Sequence, residues 1–322
     1  MSTPAGPVTL ASKDFLSVLD LTPAELDRLL ELAASLKHER ATGTPSARPL
    51  TGRHVMMLFE KPSLRTRTTF VVAVRELGGE VIEPLSDVVF GDRETPQDVA
   101  RNLERWVAGA VVRTFEQSRL AAFAAAASRM HVINALTNEE HPCQALADML
   151  TLQERLGSLA GRTLTYIGDG NNVATSLAHA GAMLGLRLRF ASPPGFELPA
   201  SVVDASLQAA RHGATVTVTN DPFGAVDGAD AVYTDVWASM GQEQEAATRA
   251  RIFQRFQVNA KLMRVAGPHA IFMHCLPAHR ESEVTNEVMD SAASVVFDQA
   301  ENRLHAQKAL LTLLMGAREP RT

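Results

Sequence analysis

The segment HVMMLFEKPSLRTRTTFVVAVRELGG, residues 54–79, predicts a strand, a loop and a helix in succession. His54–Phe59 is an apolar run without polar alternation, which is typical of a strand buried on both faces of a parallel sheet. The helix is predicted to begin near Ser63 and to end at Gly78-Gly79, because glycine commonly follows the last turn of a helix. The segment therefore favours a parallel α/β fold.

The start of this helix combines features that favour anion binding. A helix N-terminus presents unpaired backbone N–H groups and a partial positive charge. Here it also carries Arg65, Arg67 and several hydroxyl groups, so a phosphate group is a suitable ligand. A capped helix with solvated arginines explains the same residues equally well, and general physical chemistry alone does not separate the two interpretations.

Strands and helices alternate along the rest of the chain, which argues for parallel sheets covered by helices on both faces. After His54–Phe59 the candidate strands are 80–85, 109–115, 131–136, 163–169, 186–192, 215–220, 231–237, 270–275 and 294–299. A first helix is predicted to open at Thr22-Pro23-Ala24-Glu25, and the further candidate helices are 66–77, 96–107, 117–127, 142–156, 172–184, 200–212, 246–256 and 302–315.

These strands are too many for one comfortable open sheet, so the predicted fold class is α/β with two doubly wound parallel-sheet domains joined by interdomain helices. The helix at 142–156 is the natural bridge. The first domain is expected at 1–145 and the second at 146–301, and the C-terminal helix 302–316 could return to the first domain.

Composition and charge limit the class of protein. The chain has 322 residues, 46% hydrophobic and 21% charged, with a net charge of −5, which gives no reason to expect nucleic acid or membranes as partners. No stretch reaches the ~20 apolar residues of a membrane span, and residues 1–15 lack the pattern of a signal peptide. Two cysteines, Cys143 and Cys275, cannot form a disulfide framework. We therefore expect a soluble, cytoplasmic protein.

Two motifs together point to a family. Ser63–Arg67 resembles the Ser-x-Arg-Thr-Arg motif of the aspartate and ornithine carbamoyltransferases, and His141-Pro142-Cys143-Gln144 resembles their His-Pro-x-Gln. The resemblance extends over about residues 14–316. It implies that the first domain binds carbamoyl phosphate, with Leu64, where the family often has Thr, acting through its backbone N–H. The residues expected at carbamoyl phosphate are Ser63, Leu64, Arg65, Thr66, Arg113, His141, Gln144, Cys275, Leu276 and Arg303, with Arg65, His141, Cys275 and Arg303 as catalytic residues.

Two further motifs indicate the second substrate. His274-Cys275-Leu276-Pro277 is similar to the ornithine branch of the family, whereas aspartate carbamoyltransferases have His-Pro-Leu-Pro at this place. Asp235–Gly241 resembles the Asp-x-x-x-Ser-Met-Gly loop that holds the α-amino and α-carboxylate groups of ornithine. The implied ornithine-binding residues are Asn172, Asp235, Ser239 and Met240.

The resemblance implies carbamoyl transfer from carbamoyl phosphate to the δ-amine of L-ornithine, giving L-citrulline and phosphate, in arginine biosynthesis. No cofactor is expected, because phosphate is already a good leaving group. The resemblance also implies a homotrimer, or a multiple of trimers. Some relatives donate a polar residue to a neighbouring subunit's site, but the counterpart here, Val89 or Phe90, is apolar.

Other interpretations of the motifs remain. Gly168-Asp169-Gly170 follows a strand, as in a dinucleotide fingerprint, but Val173 stands where that fingerprint requires its third glycine. His269, His274, Cys275 and His279 lie close in sequence without the spacing of a zinc site, so no metal is expected. A non-catalytic binding protein on the same fold is a further alternative, as are transferases acting on aspartate, putrescine or N-acetylornithine.

Overall fold

The structure is a computed structural model that describes residues 10–44, 47–84, 94–238 and 243–316. The chain divides into two units. The first comprises the described residues of Met1–Leu146 and Asn302–Thr322, and the second is formed by those of Ala147–Glu301. Each unit contains one sheet whose strands are all parallel.

The sheet of the first unit has the strand order β2-β1-β3-β4. Its strands are β1 (His54–Phe59), β2 (Glu80–Ile82), β3 (Gly109–Arg113) and β4 (His131–Leu136). Its helices are α1 (Pro23–Thr42), α2 (Leu64–Glu76), α3 (Pro96–Leu103) and α4 (Gln117–Ala126). Because β1 is an interior strand, its apolar side chains are covered on both faces, as the pattern of His54–Phe59 predicts. Phe59 pairs with Arg113, so the carboxyl end of β1, which leads to α2, and the carboxyl end of β3, at Arg113, lie side by side.

The sheet of the second unit has the strand order β7-β6-β5-β8-β9. Its strands are β5 (Thr163–Ile167), β6 (Arg187–Ala191), β7 (Thr215–Thr219), β8 (Ala231–Thr234) and β9 (Ile271–His274). Its helices are α6 (Asn172–Met183), α7 (Ala200–Gln208), α8 (Pro222–Val226), α9 (Ala246–Phe253), α10 (Ala260–Ala266) and α11 (Asn286–Met289). The direction of strand addition reverses between β5 and β8. Open α/β sheets bind ligands at such a switch point, outside the carboxyl ends of the strands.

The chain passes between the two units within helices on both occasions. These helices are α5 (Pro142–Leu156) and α12 (Val296–Met315). The predicted fold class, two parallel-sheet α/β domains, is confirmed. Within the described ranges, no helix combines the length and the apolar character needed to cross a bilayer.

One predicted strand is wrong. The run at 294–299 forms a single bridge, between Ser294 and Phe272, and α12 then begins at Val296. The β-branched residues of this run suit a strand, but Asp298 and the residues after it continue a 20-residue helix, which overrides the local preference.

Candidate active site

The N-terminus of α2 is open to an anion. Ser63 is the N-cap residue, with extended backbone angles, and among the described residues its side chain makes no capping hydrogen bond. The α1 helix differs, because the hydroxyl of Thr22 accepts from the backbone N–H of Glu25. The first-turn N–H groups of α2 are therefore available to an external acceptor such as a phosphate oxygen.

Arg303 lies in the part of α12 that belongs to the first unit, and it contacts residues of α2 and α5 in the same unit. Its guanidinium is buried, with Nη2 donating to Thr66 Oγ1 at 2.6 Å and Nη1 donating to Gln144 Oε1 at 2.9 Å. Thr66 lies in the first turn of α2, and Gln144 lies in the first turn of α5. Three residues that the sequence predicts for one site, and that lie far apart along the chain, are thus in direct contact.

His141 is a neutral imidazole beside this network. The side chain is buried, and the pKa of His141 lies well below its ordinary value because of burial and because of the charges of Arg303 and Arg113. Arg113 is itself buried at the end of β3. Two guanidinium groups that both act on one imidazole concentrate positive charge, and a bound anion offsets the cost of burying that charge.

Asp235 provides an oriented carboxylate in the second unit, directly after β8. Its Oδ1 accepts from the backbone N–H of Val236 at 2.8 Å and from Cys275 Sγ at 3.0 Å. Its Oδ2 accepts from Asn171 Nδ2 at 2.9 Å, while Asn171 Oδ1 caps α6 by accepting from Val173 N and Ala174 N. Asp235 and Cys275 thus meet at the carboxyl ends of the adjacent strands β8 and β9, beside the switch point.

The loop after β9 is held by a buried histidine. His274 Nδ1 accepts from the backbone N–H of Leu276 at 2.9 Å, so the proton of the ring lies on Nε2, which is 3.3 Å from Glu283 Oε1. Leu276 has a φ of 57°, which is uncommon for a residue other than glycine. This arrangement fixes the backbone at Cys275 and Leu276.

The same residues bear on the metal alternative. Ligand atoms of Asp235, His274 and Cys275 lie within 4.8 Å of one another. Both ring nitrogens of His274 and the thiol of Cys275 are already engaged in hydrogen bonds, so a metal ion could bind only by displacing them. The expectation that no metal is required stays a prediction.

Models of two protein domains match the chain. The model described as "Aspartate/ornithine carbamoyltransferase, carbamoyl-P binding domain" matches residues 13–154, and the "Asp/Orn binding domain" of the same family matches residues 160–314. The chain belongs to the aspartate/ornithine carbamoyltransferase family.

Individual relatives agree with this assignment. An ornithine carbamoyltransferase of Parafrankia sp. is 52% identical over 308 residues, covering 95% of this chain and 97% of the relative. The ornithine carbamoyltransferase of Symbiobacterium thermophilum is 50% identical over 310 residues, covering 96% and 99% of the two chains. The solved structure of the ornithine carbamoyltransferase from Pyrococcus furiosus has a TM-score of 0.93 and 46% identity, and the match covers 97% of this chain and 100% of that one.

The structure gives another reason for one glycine of the Gly168-Asp169-Gly170 segment, which the sequence analysis compared with a dinucleotide fingerprint. A Cβ atom on Gly170 would lie 2.5 Å from the backbone of Glu197 and Leu198. Close packing against that segment therefore explains this glycine, without any approach to a pyrophosphate group.

Some of the remaining predicted residues have a position in the structure, and the others lie outside the described residues. Arg65 is half-buried in the first turn of α2, and Leu64 beside it is 80% exposed. Asn172 is the first residue of α6. Ser239 and Met240 lie outside the described residues, as do Val89 and Phe90.

Two residues of the region were missed by the sequence analysis. Asn171 donates from Nδ2 to Asp235 Oδ2 at 2.9 Å, and its position directly before a helix was the available signal. Lys61 is buried, donates from Nζ to Asn138 Oδ1 at 2.7 Å and lies 4.2 Å from the ring centre of Phe115. Burial and the charge of Arg113 lower the pKa of Lys61, so the side chain of Lys61 lies close enough to Arg113 for the two groups to interact electrostatically.

Proposed function

We propose that the chain transfers the carbamoyl group of carbamoyl phosphate to the δ-amine of L-ornithine, forming L-citrulline and phosphate. The observation that carries the proposal is the Arg303 network: a buried guanidinium bound to Thr66 and Gln144, with a neutral His141 and Arg113 beside it. This is a site for an anion attached to a group that a neutral imidazole can polarise. Biosynthesis of arginine is the role that we expect for the reaction.

The leaving phosphate is stabilised by positive charge and by backbone dipoles. We assign this role to Arg65, Arg113 and the N–H groups of Ser63–Thr66 at the start of α2. Charge-assisted hydrogen bonds from guanidinium groups are well suited to phosphate oxygens. Since phosphate leaves readily once its charge is stabilised, the reaction requires no cofactor.

The carbonyl oxygen of the carbamoyl group becomes more negative as the amine attacks. Arg303 and His141 are assigned to this oxygen, as donors held in place before the reaction begins. His141 is suited to the task in its neutral form, because a neutral imidazole donates a hydrogen bond without adding a third positive charge beside Arg303 and Arg113.

The attacking amine must be neutral. An amine of the lysine type has an unperturbed pKa of about 10.4, so at pH 7 its neutral form is disfavoured by roughly 4–5 kcal/mol. A carboxylate beside that nitrogen would stabilise the cation and increase this cost. We therefore assign Asp235 to the α-ammonium group. Cys275, at 3.0 Å from Asp235, lies at the same end, and the three methylene groups of ornithine carry the δ-nitrogen beyond the thiol towards Leu276.

An amine panel tests the function. The purified chain is given carbamoyl phosphate with ornithine, putrescine, N-acetylornithine or aspartate, and the carbamoylated product is quantified. Citrulline formation should exceed every other product at equal amine concentration. Ureido products from aspartate or putrescine in preference to citrulline would contradict the proposal. An Arg303→Met enzyme serves as the negative control, because its product formation should fall at least about tenfold.

The assembly and compartment are also proposals. We expect a homotrimer or a multiple of trimers. Leu64 and Trp106 of the first unit are 80% and 64% exposed, and a subunit interface would cover such large apolar side chains. Light scattering coupled to size-exclusion chromatography measures the mass of the assembly and tests this expectation.

A cytoplasmic location suits the chemistry, because the Cys275 thiol that donates to Asp235 must stay reduced.

A further inference from the structure

The strand that leads to Cys275 lies at the edge of its sheet, so its outward-facing backbone groups need partners from elsewhere. Phe272 obtains them from the chain that follows α11, since its N–H donates to Ala293 O at 2.8 Å and its carbonyl accepts from Val295 N at 3.0 Å. His274, two residues later, faces the same way. Its N–H donates to the side chain of Gln299, with 3.0 Å between His274 N and Gln299 Oε1.

The amide group of Gln299 has a fixed orientation. Because a backbone N–H only donates, the atom that faces His274 must be the oxygen, and Nε2 must point the other way. Nε2 lies 2.7 Å from Asp148 Oδ1 and 3.1 Å from the hydroxyl of Tyr233. The Tyr233 hydroxyl in turn donates to Asp148 Oδ2 at 3.2 Å. Gln299, Asp148, Tyr233 and His274 are all buried, so little water competes with this network.

The network reaches both strand ends that carry the predicted amine site. Gln299 holds the last residue of β9, directly before Cys275. Tyr233 lies in β8, two residues before Asp235. The hydrogen bond from Cys275 to Asp235 therefore connects the ends of two strands that are both linked to the carboxylate of Asp148. The β8 strand is linked through the hydroxyl of Tyr233, and β9 is linked through Gln299.

We infer that Gln299, oriented by Asp148, is a positioning residue that sets the end of β9 and thereby the placement of Cys275 and Leu276 against the amine substrate. This inference rests on the proposed function, in which those two residues contact the substrates. Gln299 acts through the backbone and not by touching a substrate. Reaction rates are sensitive to displacements of reacting groups by a fraction of an ångström, so a slack strand end lowers activity even when the fold is intact.

Two substitutions separate the hydrogen bonds from the shape of the side chain. Gln299→Met keeps the length but neither accepts from His274 nor donates to Asp148. Gln299→Glu has a carboxyl group that is buried next to Asp148, and both conditions favour its protonated form. A protonated carboxyl accepts through one oxygen and donates through the other, so this variant retains both links.

The expected result is a loss of ornithine kcat/KM of about tenfold or more in Gln299→Met, with Gln299→Glu within about threefold of the unmodified enzyme at neutral pH. The rate of Cys275 alkylation, measured without substrate, should change in the Met variant and not in the Glu variant. Cys143 does not interfere, because burial raises the pKa of its thiol to about 12. If Gln299→Met does not fold, Gln299→Asn replaces it with the same expectation, since the shorter amide cannot reach His274.

Gln117→Met is the matched control. Gln117 also bonds a backbone group, donating to Leu16 O at 3.0 Å, and accepts from Asn134 and Thr137, but it lies in the first unit. We expect its loss to lower thermal stability and to leave both the KM for ornithine and the rate of Cys275 alkylation unchanged.

If Gln299→Met behaves like this control, with thermal stability lost and kcat/KM retained, the inference is overturned. Absence of citrulline formation by the unmodified enzyme would instead reject the proposed function, while the alkylation comparison would still test the position of Cys275.

Discussion

The guanidinium of Arg303 donates hydrogen bonds to Thr66 and Gln144, and these contacts lead to a prediction for the residue scale. A lysine ammonium cannot reach Thr66 Oγ1 and Gln144 Oε1 with the planar geometry of a guanidinium, so Arg303→Lys should bind carbamoyl phosphate at least about tenfold more weakly. Calorimetric titration with carbamoyl phosphate measures the effect. Arg280→Lys is the control, because Arg280 pairs with Asp290 on the surface at 2.7 Å and should show no change. Equal affinities in both variants would remove Arg303 from the carbamoyl phosphate site.

The neutrality of His141 makes a prediction about pH. Since burial and two arginines hold the pKa of His141 well below its ordinary value, the imidazole should not become protonated between pH 8 and pH 6. Activity in this range should fall with falling pH only as the amine of ornithine is protonated. His141→Gln should lower kcat and leave the shape of the pH profile unchanged. A break near pH 6.5 that disappears in this variant would show that His141 titrates in the working range.

Residue identities were more predictable than their contacts. The motifs at Ser63–Arg67, His141–Gln144 and Asp235 carry recognisable chemistry, so they could be found in the sequence. The bond from Asn171 to Asp235 could not, because it depends on where a loop turns after β5 relative to the end of β8. The Arg303 contacts likewise depend on three helix positions that no local pattern specifies.

At the scale of elements, the strands and helices with a clear pattern of apolar residues were predictable, and those with a weak pattern were not. The β1 strand was predicted at His54–Phe59 and α5 at 142–156, where the structure has both. Short helices such as α8 and α11 have too few residues to show a period. The predicted strand at 294–299 was wrong because its β-branched residues lie at a helix start that tertiary contacts decide.

Arg249 of α9 contacts described residues on both sides of positions 239–242, which include the predicted ornithine-binding residues Ser239 and Met240. Arg249 is buried, donating to Trp237 O at 3.0 Å before these positions and to Glu245 at 2.9 Å after them. It also pairs with Asp169 at 2.7 Å, in the segment that follows β5. Arg249→Gln should therefore raise the KM for ornithine by about tenfold or more, since one buried ion pair and a carbonyl contact are lost. Steady-state kinetics with Arg251→Gln as control, an exposed position on the same helix, test this. An unchanged KM for ornithine would show that Arg249 does not influence ornithine binding.

A buried histidine at the contact between α6 and α7 should make the free energy of unfolding depend on pH. His179 on α6 is buried, and its Nδ1 lies 2.9 Å from the hydroxyl of Ser206 on α7. Burial lowers the pKa of His179 from 6.5 to about 4. Between these values the unfolded chain binds a proton that the folded chain excludes, so stability is complete above pH 6.5 and falls as the pH drops towards 4. The shift corresponds to a loss of roughly 3 kcal/mol over that window.

Urea unfolding at several pH values, with His179→Gln for comparison, measures this effect. Glutamine can keep a hydrogen bond to Ser206 but does not titrate, so its free energy of unfolding should fall less steeply below pH 6.5. Parallel curves for the two proteins would mean that His179 does not account for the loss at acid pH.

At the scale of the whole molecule, we expect each of the two units to bind one of the two substrates. The Arg303 network lies wholly in the first unit, whereas Asp235, Asn171 and Cys275 lie in the second. The family models divide in a similar way, with carbamoyl phosphate assigned to residues 13–154 and the amino acid to residues 160–314. The chemistry of transfer requires both substrates, but the affinity for each should depend mainly on one unit.

This division makes a prediction about one substitution measured with both substrates. Asp235→Asn removes the negative charge that we assign to the α-ammonium of ornithine, so the KM for ornithine should rise by about tenfold or more, as expected for a lost charge-assisted hydrogen bond. Discrimination against N-acetylornithine should shrink, because that amine lacks the α-ammonium and loses nothing when the carboxylate is removed. The Kd for carbamoyl phosphate without ornithine should stay within about twofold of the unmodified value, since Arg303 and Thr66 keep their contacts. Arg303→Met, in contrast, should raise the Kd for carbamoyl phosphate. A weakened Kd for carbamoyl phosphate in Asp235→Asn, or an undiminished preference for ornithine over N-acetylornithine, would place Asp235 at the reacting end instead of the α-ammonium end.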